Sequence, residues 1–228
     1  MASATSLIIK GCSAGGLAVY LHADYVADKV RAVAPSARVV AAPGAGFFLD
    51  TPGFDGNYHY RANYQWVFAN MNTSGSINSA CVAAQQPGEE WRCYCAQYNL
   101  PFIKTPLFID NSLHDAWQAG NVMALPCNPG SCKDNATEAA VVSYLKGFRM
   151  TMINALAPVV SSAKHGGFLQ SCFVHVVEDV DSSYDNVMVA NGVGVKANQW
   201  ETLLAWWTGN KNFAGLAVDG DLGSNPTC

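Results

Sequence analysis

The stretch that most constrains the fold lies near the start of the chain, where an apolar run leads into Gly11-Cys12-Ser13-Ala14-Gly15 and a helix-compatible segment, 17–25, follows. Strand, sharp turn and helix form the context in which a Gly-x-Ser-x-Gly turn holds its serine as an exposed nucleophile. A β-carbon at either flanking glycine is expected to collide with the neighbouring strand or helix. The pattern therefore predicts Ser13 as a nucleophile and the amide of Ala14, at the start of the helix, as an oxyanion donor.

The same five residues also arise by chance in a glycine-rich chain, where they form only a tight turn between a strand and a helix. Such a turn forms a catalytic site only if the rest of the chain supplies an acidic residue and, after it, a histidine. A second buried strand at 38–42 follows the helix, so the start of the chain predicts a βαβ unit and a parallel sheet.

Length and composition predict one globular domain over 1–228, because the chain has 228 residues, is half hydrophobic and is only 13% charged. The net charge of -4 and the absence of a Lys/Arg cluster argue against nucleic acid as a partner. No run approaches the roughly 18 apolar residues that span a bilayer. We expect a monomer that has no membrane span.

Two acidic residues compete for the role of the acid. A short buried strand is predicted at 103–110, and an acid just past the carboxyl end of a parallel strand lies at the edge where ligands bind. Asp110 ends that predicted strand and could serve only to cap the turn. Asp115 lies further into the loop, where it can reach sideways, and it is the preferred candidate.

A histidine follows the acid in the required order. Residues 168–174 are predicted to form the last strand, and His175 stands at its end. A single histidine is more often a satisfied surface or core group than a catalyst. Here it completes the order Ser, Asp, His that is typical of α/β-hydrolases. The remaining histidines precede the acid or the strand: His22, His59, His114 and His165.

Three further segments are predicted from composition and periodicity. An aromatic-rich insertion at 58–98 forms either a lid or wall beside the site or ordinary core. A helix at 137–156 carries an apolar stripe that belongs to the core. A last helix at 198–207 is predicted to turn its large apolar side chains inward: Trp200, Leu203, Leu204 and Trp207.

Cysteine usage predicts an oxidising compartment, because eight cysteines are many for a cytosolic enzyme and their spacing does not match a zinc site. Cys127 and Cys132 are expected to close a small loop, and Cys228 is expected to join Cys172. Asn72 and Asn135 are candidate glycosylation sites. Six cysteines are candidates for disulfides: Cys81, Cys93, Cys127, Cys132, Cys172 and Cys228.

The segments together resemble the pectin acetylesterase and Notum family of secreted carboxylesterases, most closely its plant and algal branch. The resemblance implies an α/β-hydrolase fold without metal or cofactor, with Ser13 as nucleophile, Asp115 as acid and His175 as base. It also implies hydrolysis of esters, of acetyl groups on pectin in most relatives and of a fatty acyl group on a signalling protein in the animal branch. The matching pieces are residues 11–16, 45–50, 103–109, 115–118, 145–149 and 167–175.

Two features depart from this family. In the family, a glycine-rich, Trp-containing loop upstream of the Gly-x-Ser-x-Gly turn supplies further oxyanion donors, and this sequence does not contain that loop. Relatives of the plant type carry a cysteine directly after the histidine, where this chain has Val176. Residues 1–5 also lack the pattern of a signal peptide. We expect an N-terminally truncated esterase that is secreted or in the cell wall and acts on an acetylated polysaccharide. The alternatives are a Notum-like deacylase of a lipid-modified protein and a truncated, non-catalytic carbohydrate-binding relative.

Overall fold

The computed structural model describes residues 3–176, 186–190, 194–210 and 216–228. The strands are β1 (Ser6–Cys12), β2 (Arg38–Gly44), β3 (Phe108–Ser112), β4 (Gly166–Gln170), β5 (Val189–Ala190), β6 (Lys196–Ala197) and β7 (Leu216–Val218). Five of them form a parallel central sheet in the order β1-β2-β3-β4-β7, flanked by helices, so the predicted α/β class is confirmed. The antiparallel pair of β5 and β6 lies outside this sheet. The helices are α1 (Ala14–Val33), α2 (Arg61–Asn70), α3 (Ser79–Ala84), α4 (Ala96–Asn99), α5 (Ala116–Asn121), α6 (Asn135–Ala155), α7 (Ala157–Val160) and α8 (Gln199–Thr208).

The first strand, helix and second strand form the predicted βαβ unit. β1 pairs in parallel with β2 over seven residues, from Ser6 with Arg38 to Cys12 with Gly44. Six of the seven residues of β2 are buried, as expected for a strand covered on both faces. α1 packs on the two strands through buried side chains at helical spacing, among them Leu17, Tyr20, Leu21 and Ala27. This unit positions the turn at Ser13.

The third strand is shorter and later than predicted. It covers Phe108–Ser112, whereas the sequence pattern favoured 103–110. The segment before it is held by a side chain instead of a neighbouring strand, because the backbone amides of Lys104 and Thr105 donate to the carboxylate of Asp24. Asp110 therefore lies within the strand and not at its end.

The strand before His175 also ends early. β4 stops at Gln170, and β7 adds a further strand beyond it, so the prediction of a last strand at 168–174 is wrong. Ser171 leaves the ladder because its amide and hydroxyl both donate to the carboxylate of Asp219, at 3.1 and 2.8 Å. His175 thus stands in a loop and not at the end of a strand.

The long helix near the middle of the chain agrees with its predicted stripe, whereas the last helix does not. Val141, Leu145 and Met152 of α6 are fully buried. In α8 the buried residues are Gln199, Thr202 and Ala205, while Trp200 is 52% and Leu204 46% exposed. Small and polar side chains, spaced three apart, allow α8 to lie close against the sheet, so the expected inward packing of Trp200 and Leu204 is wrong.

Three disulfides close loops around this framework. They join Cys81 with Cys93, Cys127 with Cys132, and Cys172 with Cys228. The last one ties the end of the chain to the loop that carries His175. Within the described ranges, no helix combines the length and the apolar character needed to cross a membrane.

Candidate active site

The turn between β1 and α1 holds Ser13 in a conformation that few serines adopt. Its φ of 56° lies in the left-handed region, which costs a non-glycine residue roughly 1 kcal/mol or more. Backbone hydrogen bonds impose this conformation: the amide of Ser13 donates to the carbonyl of Gly44 at 2.9 Å, and the amide of Leu17 donates to the carbonyl of Ser13 at 2.9 Å. The strain is typical of a turn that lifts a side chain clear of the sheet.

The glycines around this turn have unequal roles. A β-carbon at Gly11 would overlap the carbonyl of Gly15, as expected. A β-carbon at Gly15 would meet nothing within 4 Å, so the expectation that both flanking glycines are required by space is wrong for Gly15. The second crowded position is Gly16, where a β-carbon would overlap the carbonyl oxygen of Gly44 and approach Cα of Gly46 to 3.0 Å. The helix therefore packs on β2 through Gly16.

Gly16→Ala is expected to lower the free energy of unfolding by about 3 kcal/mol or more. The new methyl group would overlap backbone atoms, which cannot move away by changing a side-chain rotamer. For a chain of this length we expect a melting temperature about 6–12 °C lower. Gly15→Ala, one residue away in the same helix, is the matched control and should melt at or above the parent temperature. Equal melting temperatures for the two variants, measured by circular dichroism, would contradict the packing argument.

The structure brings together the three predicted catalytic residues from distant parts of the chain. Ser13 Oγ lies 2.7 Å from His175 Nε2. His175 Nδ1 lies 3.1 and 3.0 Å from the two carboxylate oxygens of Asp115. The carboxylate is an acceptor, so Nδ1 carries the proton that it donates to Asp115, and Nε2 is left to accept the hydroxyl proton of Ser13. This arrangement can transfer a proton away from the serine hydroxyl.

The carboxylate of Asp115 is buried and held from two sides. Its side chain is fully shielded from solvent, whereas that of His175 is 20% exposed. Asp115 is also the N-cap of α5, because its Oδ1 accepts the amide proton of Gln118 at 2.9 Å. The amide of Ala116 donates to the carbonyl of Val174 at 3.2 Å and joins the acid loop to the histidine loop. These bonds compensate the cost of burying the carboxylate and fix its direction.

The competing acid and the other histidines lie in different settings. Asp110 Oδ2 accepts a hydrogen bond of 2.6 Å from Gln199 on α8. His114 is buried and its Nδ1 lies 3.0 Å from the carbonyl of Ser171, and burial lowers its pKa. Burial also lowers the pKa of His165 to about 4, and its Nδ1 accepts the amide proton of Leu107. His59 pairs with Asp55 at the surface, at 2.8 Å.

The loop that carries His175 is anchored by residues that the sequence did not indicate. Ser112 Oγ donates to the carbonyl of Cys172 at 2.6 Å, and Asp219 holds Ser171 as described above. Asn225 also donates to Asp219, at 2.6 Å, and fastens the C-terminal segment to the same carboxylate. No sequence signal pointed to Asp219, because its partners lie in other segments of the chain.

Aromatic rings surround the imidazole. The ring of Phe48 stacks at 6.2 Å from that of His175, and the ring of Trp117 lies 5.9 Å away on a tilt of 31°. Tyr60, from the aromatic-rich insertion at 58–98, packs edge-on against Trp117 at 5.4 Å. Tyr64 of the same insertion is buried core. The insertion thus supplies both side chains near the site and core; its role as a lid or wall stays a prediction.

The remaining predicted site residues lie at the surface. Ala14 is the exposed first residue of α1, where the first amides of a helix have no partner within the helix and carry partial positive charge. Asn72 and Asn135 are both exposed. In the part of the chain that the structure describes, no group of three or more histidine, cysteine or acidic side chains could hold a metal ion.

Comparison with known proteins identifies relatives over the whole chain. A sequence model of the pectinacetylesterase family matches residues 1–228. Pectin acetylesterase 7 of Arabidopsis thaliana is 31% identical over 244 aligned residues, which cover all of this chain and 58% of that protein. Pectin acetylesterase 11 of the same plant is 29% identical over the same shares of both chains. The palmitoleoyl-protein carboxylesterase NOTUM of Mus musculus is 28% identical over 52% of this chain and 25% of its own. The chain thus spans 58% of the length of the first two relatives.

Proposed function

The chain belongs to the pectinacetylesterase family, and from that membership we propose that it hydrolyses carboxylic esters and removes acetyl groups from pectin. One observation supports this proposal above the others. A serine in a strained turn contacts a histidine at 2.7 Å, and the other nitrogen of that histidine contacts a buried carboxylate. This is the arrangement of a serine hydrolase, recognised by geometry and not by chain position.

In the first step, Ser13 attacks the acetyl ester. His175 Nε2 accepts the hydroxyl proton of Ser13 while Oγ forms a bond to the carbonyl carbon of the ester. The carbonyl oxygen gains the negative charge of the tetrahedral intermediate. The amide of Ala14 is the donor that we assign to this oxygen, because it opens α1, where the helix dipole favours negative charge.

In the second step, the intermediate collapses. The bond from carbon to the sugar oxygen breaks, His175 donates its proton to that oxygen, and the sugar hydroxyl leaves. The acetyl group is then bound to Ser13 as an ester. His175 next accepts a proton from water as the water attacks the acetyl carbon. The proton returns to Ser13 Oγ when acetate is released, which restores the starting state.

Asp115 positions the base throughout these steps. Its two contacts with Nδ1 select the tautomer in which Nε2 is unprotonated, and its charge stabilises the imidazolium that forms during attack. Phe48 and Trp117 pack on the imidazole from the sides and limit its rotation. A ring held in one orientation keeps Nε2 within reach of Ser13. Less conformational entropy is therefore lost when the two side chains reach the reactive geometry.

We favour acetyl esters of pectin over fatty acyl esters because of the relatives that the chain matches. Pectin acetylesterases 7 and 11 match all of this chain, whereas NOTUM of Mus musculus matches 52% of it.

We also propose that the protein acts outside the cell or in the cell wall. Three disulfides join six of its eight cysteines, and structural disulfides persist in oxidising compartments. Both sequons, at Asn72 and Asn135, are exposed and accessible to a glycosyltransferase. The disulfides and the exposed sequons are consistent with an extracellular polysaccharide as the substrate.

The test of the proposed function measures how the purified chain hydrolyses three different esters. We expect release of acetate from acetylated pectin and from 4-nitrophenyl acetate, no release of fatty acid from a palmitoleoylated peptide, and covalent labelling by a fluorophosphonate probe. Labelling requires an activated serine and does not depend on the natural ester. A folded chain that is not labelled and hydrolyses none of the esters would overturn the proposal. Release of palmitoleate alone would replace pectin by a lipid-modified protein.

A further inference from the structure

The segment that follows β2 is buried although it belongs to no helix or strand. Residues 46–50 have no regular secondary structure, yet Phe47 and Leu49 are fully buried and Phe48 is only 3% exposed. Backbone amides and carbonyls in such a place need hydrogen-bond partners, because an unpaired buried group costs about as much as a lost hydrogen bond. The residues that supply these partners therefore determine the course of the segment.

Two amide side chains from other parts of the chain bond to this backbone. The amide of Phe47 donates to Asn111 Oδ1 at 3.1 Å. Gln118 makes two bonds: its Oε1 accepts the amide proton of Leu49 at 3.0 Å, and its Nε2 donates to the carbonyl of Phe47 at 3.2 Å. One side chain thus holds the backbone on both sides of Phe48, as the backbone of a neighbouring strand would.

The side chain between these two bonds contacts the candidate base. The ring of Phe48 stacks on that of His175 at 6.2 Å, with an angle of 30° between the two planes. It also lies 5.0 Å from the ring of Trp117, the residue before Gln118 in α5. The rotamers open to a side chain depend on its backbone conformation. Fixing the backbone around Phe48 therefore fixes the ring that packs on the imidazole.

Gln118 also contacts the acid, through a different group. Its backbone amide donates to Asp115 Oδ1 at 2.9 Å, whereas its side-chain amide bonds to the segment around Phe48. Gln118 is fully buried. A substitution of its side chain leaves the backbone amide in place, so the two contacts can be separated by experiment.

We propose that Gln118 is a positioning residue for the base. Its side-chain amide holds Phe48 against His175 and so keeps Nε2 within reach of Ser13. This inference rests on the proposed function, because it concerns the same reaction. Gln118 acts through the ring of Phe48 and is not itself a catalytic residue.

The first test is a double-mutant cycle. Gln118→Met keeps the length of the side chain and removes its hydrogen bonds to Phe47 and Leu49. We expect kcat for 4-nitrophenyl acetate to fall about tenfold or more, with KM nearly unchanged, since a misplacement of about 1 Å costs up to about a hundredfold. Phe48→Leu should cause a similar loss. The double variant should lose no more than Phe48→Leu alone, because no ring is left for Gln118 to hold.

Thr105→Val is the matched control for a general loss of stability. Thr105 is buried and its hydroxyl donates to Asp24 at 2.7 Å. It precedes β3, whereas Asp115 follows that strand, so the two lie toward opposite ends of the sheet. The control removes a hydrogen bond of a buried side chain away from the site. It should lower the melting temperature and keep kcat within about twofold of the parent value.

Proton NMR tests the position of the imidazole without any reaction. The Nδ1 proton of His175, identified by its loss in His175→Ala, is expected as a sharp signal at low field, because Asp115 accepts it. In Gln118→Met this signal should broaden through exchange with water, since an imidazole that can turn breaks the bond. In Thr105→Val it should stay sharp. A merely structural role of Gln118 would lower the melting temperature and leave the signal as in the parent.

The outcomes separate this inference from the proposed function. Parent kcat and a sharp signal in Gln118→Met would overturn the inference even if the parent is an active esterase. Losses that multiply in the double variant would also overturn it, because Gln118 would then not act through Phe48. If the parent hydrolyses no ester, the proposed function fails and the NMR comparison still decides the inference. If Gln118→Met does not fold, Gln118→Ala replaces it with the same expected results, because the space it opens admits water to the freed peptide groups.

Discussion

Ser13→Ala is expected to lower kcat for acetyl esters by about a millionfold, the loss seen when the nucleophile of a serine hydrolase is removed. Without Oγ no acyl intermediate forms, and His175 can act only on water, which is not positioned for attack. We expect a residual rate roughly a thousandfold above that of the uncatalysed hydrolysis in water, because the oxyanion donors and substrate binding remain. Acetate release, followed by a coupled assay, measures the loss, and a fluorophosphonate probe should no longer label the chain.

Ser6→Ala is the control for this variant. Ser6 is an exposed serine at the other end of the same strand, β1, so its replacement tests for a general effect of losing a hydroxyl there. We expect the parent rate and parent labelling. A Ser13→Ala chain that keeps even a tenth of the parent activity would show that another residue is the nucleophile.

Asp115→Asn is expected to lower kcat about ten-thousandfold while it leaves the fold intact. Asparagine serves as an N-cap about as well as aspartate, so α5 should keep its start and the melting temperature should change little. The amide cannot stabilise an imidazolium, and its NH₂ group favours the tautomer in which Nε2 is protonated. The loss should therefore appear in kcat and not in stability.

Asp110→Asn distinguishes the two acids that the sequence proposed. Asp110 bonds to Gln199 on α8 and does not contact His175, so its replacement should change kcat less than tenfold in the folded protein. Both variants are measured for kcat on 4-nitrophenyl acetate and for thermal unfolding. A larger loss of kcat in Asp110→Asn than in Asp115→Asn would reverse the assignment of the acid.

The aromatic insertion at 58–98 is a segment for which the sequence left two interpretations open. Residues 58–98 were expected to form either a wall beside the site or core, and composition could not separate the two. Tyr60 packs on Trp117 beside the imidazole, while Tyr64 and Trp91 are buried. Helical spacing alone does not tell which side of an element faces a site and which faces the core, because both sides are apolar.

The sequence by itself determined the features that depend on neighbours along the chain. The strand, turn and helix around Ser13, the βαβ unit and the apolar stripe of α6 follow from periodicity and glycine placement within a few residues. The order Ser, Asp, His also comes from the sequence, as do two of the three cysteine pairs that the structure joins, Cys127 with Cys132 and Cys172 with Cys228. Their catalytic roles stay predictions, supported by the distances reported above.

The tertiary structure decided what depends on segments that meet only in the fold. Gly16 and not Gly15 is the crowded glycine because β2 and Gly46 approach from one side, and no local pattern encodes that approach. Asp24 and Asp219 replace ladder hydrogen bonds at 104–105 and 171, and so shorten the predicted strands. A local pattern reports the preference of a few residues, whereas a hydrogen bond or a close packing contact between distant segments is decided by the free energy of the whole fold.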